Sequence, residues 1–250
     1  MLRITETEVF GFRAALRDMR NPMESWDRSD SRFVNDEPTD DSARNIEHIS
    51  CLSQWQGLGI AVPELPDVGK NDLERACQLI KGGTEHRKFL RQIAINVVIE
   101  APRYVWQEID TYKVATVRNS CSTMHKLGHR PLFAEDFMDG DVLPGTLLEL
   151  NRLGEAYREG GKKDFNLVRK MKKYLPEGFI QRAGYLMNYE TAMSMFRQRK
   201  SHRLPEWRWT GGVKVVDGRQ SICDWIFSLP YMACFLDAAG EIGTAAQPAG

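Results

Sequence analysis

The sequence predicts a mixed α/β (α+β) fold in which a central sheet is flanked by helices. Three observations carry this expectation. The β-branched apolar run Ile93–Ile99 (IAINVVI) has the composition of a buried central strand. Two later stretches, Leu147–Gly160 and Phe165–Tyr174, repeat apolar residues at helical spacing with Lys and Arg on the other face. With 42% hydrophobic and 10% aromatic residues, a chain of 250 residues can build a sizeable core.

In chain order, residues 1–34 open with a short apolar stretch and pass into a loop marked by Asn21-Pro22 and the Ser/Asp cluster of RNPMESWDRSDS. Residues 35–44 are acidic and polar and read as an exposed turn or mobile segment. Ser53–Pro66 is apolar but interrupted by Gly57, Gly59, Pro63 and Pro66. Asn71 or Asp72 is placed to cap a helix running to about Lys81, where Gly82-Gly83 ends it. Arg87–Gln92 is basic and compact.

After the central strand, Pro102 suits the first turn of a helix through about Lys113. A polar loop, Cys121–His125, follows. Leu175-Pro176 closes the second amphipathic helix, and Phe179–Met187 reads as a strand. Asn188 is placed to cap a helix through about Arg199, with Met193 and Phe196 on one face. The TGG and DG turn signals of Trp209–Gln220 predict a small hairpin. Ser221–Leu236 reads as an apolar helix interrupted near Pro230, and GEIGTAAQPAG has the composition of a frayed tail. The expected organisation is a single domain over residues 1–236 and a flexible tail over 237–250.

Charge narrows the function classes. Lys and Arg number 34 against 34 Asp and Glu, so long-range attraction to nucleic acid or an anionic membrane is not expected. No apolar run is long enough to span a bilayer. The first residues lack a signal peptide's apolar block, so the expected compartment is cytoplasmic. The five cysteines are widely spaced and form no CxxC pair, which argues against a disulfide framework. Cys77, Cys223 and Cys234 sit among apolar neighbours and read as core.

The densest polar stretch is Ala101–His125, APRYVWQEIDTYKVATVRNSCSTMH. Hydroxyls, a thiol and a histidine so close behind a core strand and helix are seldom needed for folding, and they mark a site. Cys121, His125 and His129 are spaced four apart, which on one helix face would suit a metal. Gly128 and Pro131 interrupt such a helix and no fourth ligand is evident, so no metal is expected and the plain reading is a loop with an incidental histidine pair. Cys121 is also a candidate nucleophile, with His125 near it in sequence and Lys113 or Arg118 available to favour a thiolate. The plainer alternative is a small hydrogen-bonding residue.

Elsewhere the basic set Arg87, Lys88, Arg91, Lys172, Lys173, Arg197, Arg199, Lys200 and Arg203 exceeds what the helices need. It is either a solvated face or a cleft converging on phosphate. GxxxxGK[ST] and GxGxxG are both absent, which excludes the ordinary P-loop and Rossmann sites. Trp106, Tyr112, Tyr185 and Tyr189 either stack on a flat ring or pack in the core.

Residues 86–125 and 172–206 together resemble the flavin-dependent thymidylate synthases. In that family a histidine-containing turn leads into a strand, an Ala-Pro helix start and the signature RHRxxSxNxxSxRY. Here His86, Ile93–Ile99 and Ala101-Pro102 match the first three features. Thr111-Tyr112-Lys113 fall on Arg-His-Arg, Thr116 on the first Ser, Arg118 on the Asn, Cys121 on the second Ser, Thr123 on the Arg and Met124 on the Tyr. Glu108 falls on a glutamine that contacts substrate. Lys172 stands at a family arginine three residues before Leu175-Pro176. Asn188 and, eleven residues on, Arg199 keep the family's spacing, with His202 and Glu206 after them.

The resemblance implies a homotetramer with active sites between subunits. It implies binding of FAD and a pyrimidine deoxynucleotide (dUMP-like), a methylene group taken from methylenetetrahydrofolate, and NADPH to replenish the reduced flavin. Flavin contacts would come from His86, Thr111, Tyr112, Lys113 and Asn188. Nucleotide contacts would come from Glu108, Thr123, Lys172 and Arg199, with Cys121 and Arg199 the catalytic candidates.

Two guanidinium groups of the signature have become one ammonium, and a third is replaced by Thr123. Each lost charge-assisted hydrogen bond is worth about 1.5–3 kcal/mol. Arg118, Arg87, Arg91 and Arg103 are the expected compensators. Two competing readings stand beside this one. The first is a pyrimidine-nucleotide C5 hydroxymethylase-like enzyme in which Cys121 attacks C6. The second is a non-catalytic nucleotide-binding protein on the same scaffold.

Overall fold

A computed structural model describes residues 2–33, 55–64, 67–216 and 218–243. The expectations for residues 35–44, for Ser53 and Pro66, and for the last seven residues of the tail lie outside the described residues. The fold is mixed α/β, with a six-stranded central sheet and flanking helices.

The strands are β1 (Leu2–Phe10), β2 (Ile60–Ala61), β3 (Ala94–Pro102), β4 (Val117–Ser120), β5 (Ile180–Asn188) and β6 (Arg219–Gln220). The sheet runs β2-β1-β3-β5-β4, with β6 also paired to β1. β2 is parallel to β1 with Thr7 opposite Ile60, and β6 is antiparallel to it with Leu2 opposite Gln220. The chain divides into two compact units. Unit 1 holds residues 1–98, 114–117 and 185–250, and unit 2 holds residues 99–113 and 118–184. β3 and β5 contribute residues to both.

In unit 1, β1 buries Leu2 and Ile4 and then Thr7 and Val9. The buried face changes from even to odd numbers at Glu6, whose φ is 52°. This one-residue shift breaks the alternation by which a strand is recognised, so the apolar start does not announce one. Helix α1 (Phe12–Asp18) starts at Gly11, where φ is 96° and a Cβ would lie 2.3 Å from the Gln92 carbonyl oxygen. Only glycine fits there.

Helix α2 (Lys70–Lys81) ends at Gly82 as its sequence predicts, but its start is capped differently. Asp30 accepts hydrogen bonds from the Asn71 and Asp72 amides at 2.9 and 3.1 Å. Asp72 itself is fully buried and pairs with Arg20 at 2.6 Å. It also accepts from the Ser29 and Ser31 hydroxyls, both at 2.6 Å. The Ser/Asp cluster of the 20–31 loop is thus an arrangement of partners for one buried carboxylate.

In unit 2, helix α3 (Arg103–Ile109) ends four residues before Lys113, because the Thr111 amide and hydroxyl both donate to the Glu108 carbonyl and close the last turn. β4 precedes the predicted Cys121–His125 loop, and the one-turn helix α4 (Thr123–Lys126) takes up the loop's second half. The strand is short and mostly exposed, so no apolar alternation signals it. Helices α5 (Pro144–Glu159) and α6 (Phe165–Tyr174) lie at their predicted positions. Leu150, Leu153, Tyr157, Val168 and Met171 from them form a core with Leu127.

Back in unit 1, helix α7 (Tyr189–Arg199) buries Met193 and Phe196 as expected. The Trp209–Gln220 hairpin closes only at its tip, where Val216 and Arg219 exchange backbone hydrogen bonds of 2.9 Å. Its first half is held elsewhere, because the Thr210 amide and hydroxyl donate to Asp224 at 2.8 and 3.0 Å. The last apolar stretch forms two helices, α8 (Ile222–Ser228) and α9 (Met232–Ala238). Among the described residues no helix is long and apolar enough to cross a membrane.

Burial pushes the Asp72 carboxyl up, but the Ser29 and Ser31 hydroxyls and the Arg20 guanidinium together hold it below its ordinary value. A carboxylate lowered in the folded state adds stability at neutral pH that is lost as the pH falls through its folded value. Asp72→Ala leaves Arg20 buried without its counter-charge and should lower stability by about 3–5 kcal/mol in urea unfolding at pH 7. The difference from the parent chain should shrink as the pH is taken down through the acid range. An equal difference at both pH values would show that charge pairing is not its source.

Candidate functional site

The Ala101–His125 segment is organised in unit 2 around one guanidinium. Arg118 on β4 lies 4.1 Å over the ring of Trp106, which α3 buries almost completely. Its Nη1 donates to Asp110 at 2.6 Å and its Nη2 to the Gln181 side-chain oxygen at 2.7 Å. The Gln181 side-chain nitrogen donates to the Cys121 carbonyl at 2.7 Å, and the Cys121 amide donates to the Arg182 carbonyl at 2.9 Å. Trp106 Nε1 donates to the Gln181 carbonyl at 2.8 Å. The backbone of half-buried Cys121 is therefore held on both sides.

The charge beside the thiol comes from neither Lys113 nor Arg118. Lys126 Nζ lies 3.7 Å from Cys121 Sγ, because the single turn of α4 folds Lys126 back toward the residue that precedes it. His129 contacts Lys162 instead, at 3.3 Å, and packs edge-on against Tyr157. Among the described residues no group of three or more His, Cys, Asp and Glu side chains is arranged to hold a metal.

The other predicted contacts in unit 2 are spread over its surface. Glu108 is half-buried on α3, Thr111 and Lys113 are exposed on the turn after it, and Tyr112 is half-buried between them. Thr123 is half-buried at the start of α4, and Lys172 is exposed on α6. Thr111 bonds to the backbone of Glu108.

In unit 1, His86 is exposed on the turn after α2. Asn188 is buried, and its side-chain oxygen accepts from the Thr191 amide at 2.9 Å, so it caps α7 as predicted. Arg199 sits at the other end of that helix, so eleven residues separate the two by roughly 16 Å. Its Nη1 lies 3.1 Å from His202 Nε2, and its guanidinium stands 5.0 Å over Trp207.

Three of the four expected compensating arginines are engaged within the fold. Arg118 is held as described. Arg87 makes a two-pronged pair with Glu190 at 2.9 Å, and Arg103 bonds the Leu175 carbonyl and pairs with Glu177. Arg91 is exposed. Among the aromatics, Trp106, Tyr185 and Tyr189 are core residues, and only Tyr112 keeps part of its ring accessible. No local pattern marks Gln181, because its contacts depend on the pairing of β4 with β5. A polar cleft of about 590 Å³, with Ser25, Arg28, Asn71 and Arg75 in its walls, was also unannounced.

No family model and no curated protein matches the chain. Two crystal structures of thymidylate synthase X (ThyX) from Helicobacter pylori, each with FAD and dUMP, do match it in three dimensions. One has a TM-score of 0.58 at 15% identity and covers 96% of this chain and 99% of its own. The other has a TM-score of 0.57 at 15% identity and covers 94% and 99%. The chain has the ThyX fold. At 15% identity the ThyX likeness is one of architecture. It covers 96% of this chain, more than the two segments that carry the motif resemblance.

Asn188 caps α7 whether or not it also meets a ligand. Asn188→Ala should cost about 1 kcal/mol in urea unfolding, while Asn188→Asp, which keeps the accepting oxygen, should stay within about 0.5 kcal/mol of the parent. Equal losses in both variants would remove the capping role.

Proposed function

We propose that the chain is a flavin-dependent thymidylate synthase-like enzyme that transfers a one-carbon group to C5 of dUMP or a close relative. FAD would be its cofactor, with methylenetetrahydrofolate as carbon donor and NADPH as reductant. We further propose that it works as a cytoplasmic homotetramer. What supports the reading is the ThyX fold along 96% of the chain, together with the signature positions carried by the Ala101–His125 segment.

The side chains at those positions suit a flavin nucleotide in chemistry. Lys113 is an exposed ammonium available to a phosphate, Tyr112 offers a partly accessible ring, and the Thr111 hydroxyl keeps lone pairs while donating to Glu108. His86 and the amide nitrogen of Asn188 add donors for the ring edge. FAD, when bound, would deliver hydride to the one-carbon unit. Lys172 would hold the nucleotide phosphate as a point charge, where an arginine would grip it as a fork. Glu108 and Thr123 would bond the sugar and base. Arg199, steadied by His202 and Trp207, would stabilise negative charge growing on the uracil ring. Exposed Leu143, Leu148 and Phe165 in unit 2 are apolar surface that subunit contact would cover. α7, by contrast, already buries its apolar face within the chain.

A second reading is favoured by one observation, the Lys126 ammonium beside a Cys121 whose backbone is fixed. In that reading the sulfur bonds to C6 of the pyrimidine and the C5–C6 π pair moves out as an enolate. C5 then takes up the one-carbon electrophile. Loss of the C5 proton and cleavage of the C6–S bond restore the double bond and return the thiolate.

The purified protein should show the flavin absorbance or take up FAD on titration. With one ammonium in place of two guanidinium groups, Lys113→Ala should weaken FAD binding about ten- to a hundredfold. A protein that neither carries nor takes up FAD would sink the flavin mechanism. Cys121→Ser separates the two enzyme readings. Turnover of dUMP within about twofold of the parent fits the flavin route, and loss of turnover with the fold intact fits the nucleophile.

A further inference from the structure

The geometry points to Gln181 as a positioning residue for Cys121, an inference that rests on the reading in which the thiol is chemically engaged. Gln181 stands at the start of β5 and is half-buried. Its side-chain oxygen accepts from Arg118 Nη2, and its side-chain nitrogen donates to the Cys121 carbonyl, both at 2.7 Å. The amide has one workable orientation. Flipped, it would set its NH2 against a guanidinium and its oxygen against a carbonyl, two repulsive contacts in place of two attractive ones. Arg118 fixes the amide, and Arg118 is in turn fixed from two further directions by Asp110 and by the face of Trp106.

The arrangement is a relay of contacts that ends on the backbone of one residue. Trp106, Arg118 and Gln181 form a rigid base, and the next atom outward is the Cys121 carbonyl. The Cys121 amide is tied separately to Arg182 on the same strand. With both peptide groups of Cys121 anchored to β5, its Sγ faces Lys126 at 3.7 Å from a settled backbone. The arginine keeps its place although its Nε is buried with no hydrogen-bond partner. A buried, unsatisfied donor is tolerated at a loss of stability, which is expected where position rather than stability is what the contact supplies.

The test measures the rate at which iodoacetamide alkylates Cys121, followed by peptide mass spectrometry in the intact protein. Half-buried Cys77 and exposed Cys234 report in the same sample. Two variants are compared with the parent. Gln181→Met removes both hydrogen bonds. Gln181→Glu keeps the acceptor for Arg118 but turns an oxygen toward the Cys121 carbonyl. In both, alkylation of Cys121 should slow about tenfold while Cys77 and Cys234 keep their parental rates.

An unchanged or faster Cys121 rate in the Met and Glu variants would overturn the proposal. So would a common acceleration of all three cysteines, which marks loosening of the fold. The measurement needs no substrate, so it stands apart from the proposed reaction. Slowed alkylation alongside an active Cys121→Ser enzyme would retire the nucleophile reading and leave the tether in place.

Discussion

An arginine drawn out of water must have its charge answered at contact distance, and this constraint shapes the molecule more than any other. Arg20 is answered this way by Asp72 and Arg87 by Glu190 in unit 1, and in unit 2 half-buried Arg118 reaches the exposed carboxylate of Asp110. Each pair fixes a segment that would otherwise be loop. Arg20 and Asp72 hold residues 20–31 against α2, and Arg87 and Glu190 tie the turn before β3 to the start of α7. Arg118 and Asp110 join the end of α3 to β4. The buried apolar surface supplies most of the driving force for folding, but these pairs decide the course of the chain between the elements that supply it.

The guanidinium groups of Arg20, Arg87, Arg103 and Arg118 are spent on carboxylates and carbonyls of the chain itself. The cation left at the surface of the Ala101–His125 segment is the ammonium group of Lys113, with exposed Lys126 directly after the segment and Lys172 exposed on α6. An ammonium is a compact, hydrated point charge that holds a phosphate without fixing its orientation. Under the proposed function, Lys113 and Lys172 would meet a phosphate by charge alone. The retained Arg199 is the exception, since it is backed by His202 and stacked near Trp207.

The legible parts of the sequence were those governed by local rules. The β3 run, the two amphipathic helices, the Asn188 cap and the break at Pro230 all follow from periodicity, capping or proline geometry within a few residues, and all stand in the structure. What escaped was decided at long range. β1 is hidden by its shift at Glu6, and β4 has no apolar alternation because it is exposed and held by backbone pairing. The cap of α2 comes from Asp30, forty-one residues before Asn71. From sequence alone Arg118 is a candidate compensating arginine, because nothing local reveals that Asp110, eight residues earlier, and Gln181, sixty-three residues later, share its charge.

Strand β5 shows how such long-range terms reach the candidate residues. At its start Gln181 and Arg182 hold both peptide groups of Cys121, and at its end Asn188 supplies the cap from which α7 grows toward Arg199. Within unit 2 the first residues of β5 thus hold the backbone of Cys121, and within unit 1 its last residue caps the helix that ends at Arg199. A substitution at Gln181 or Asn188 changes one of these contacts while leaving the apolar core of its unit as it was. Side-chain amides suit both places because each offers a donor and an acceptor without adding a charge that the fold would have to answer.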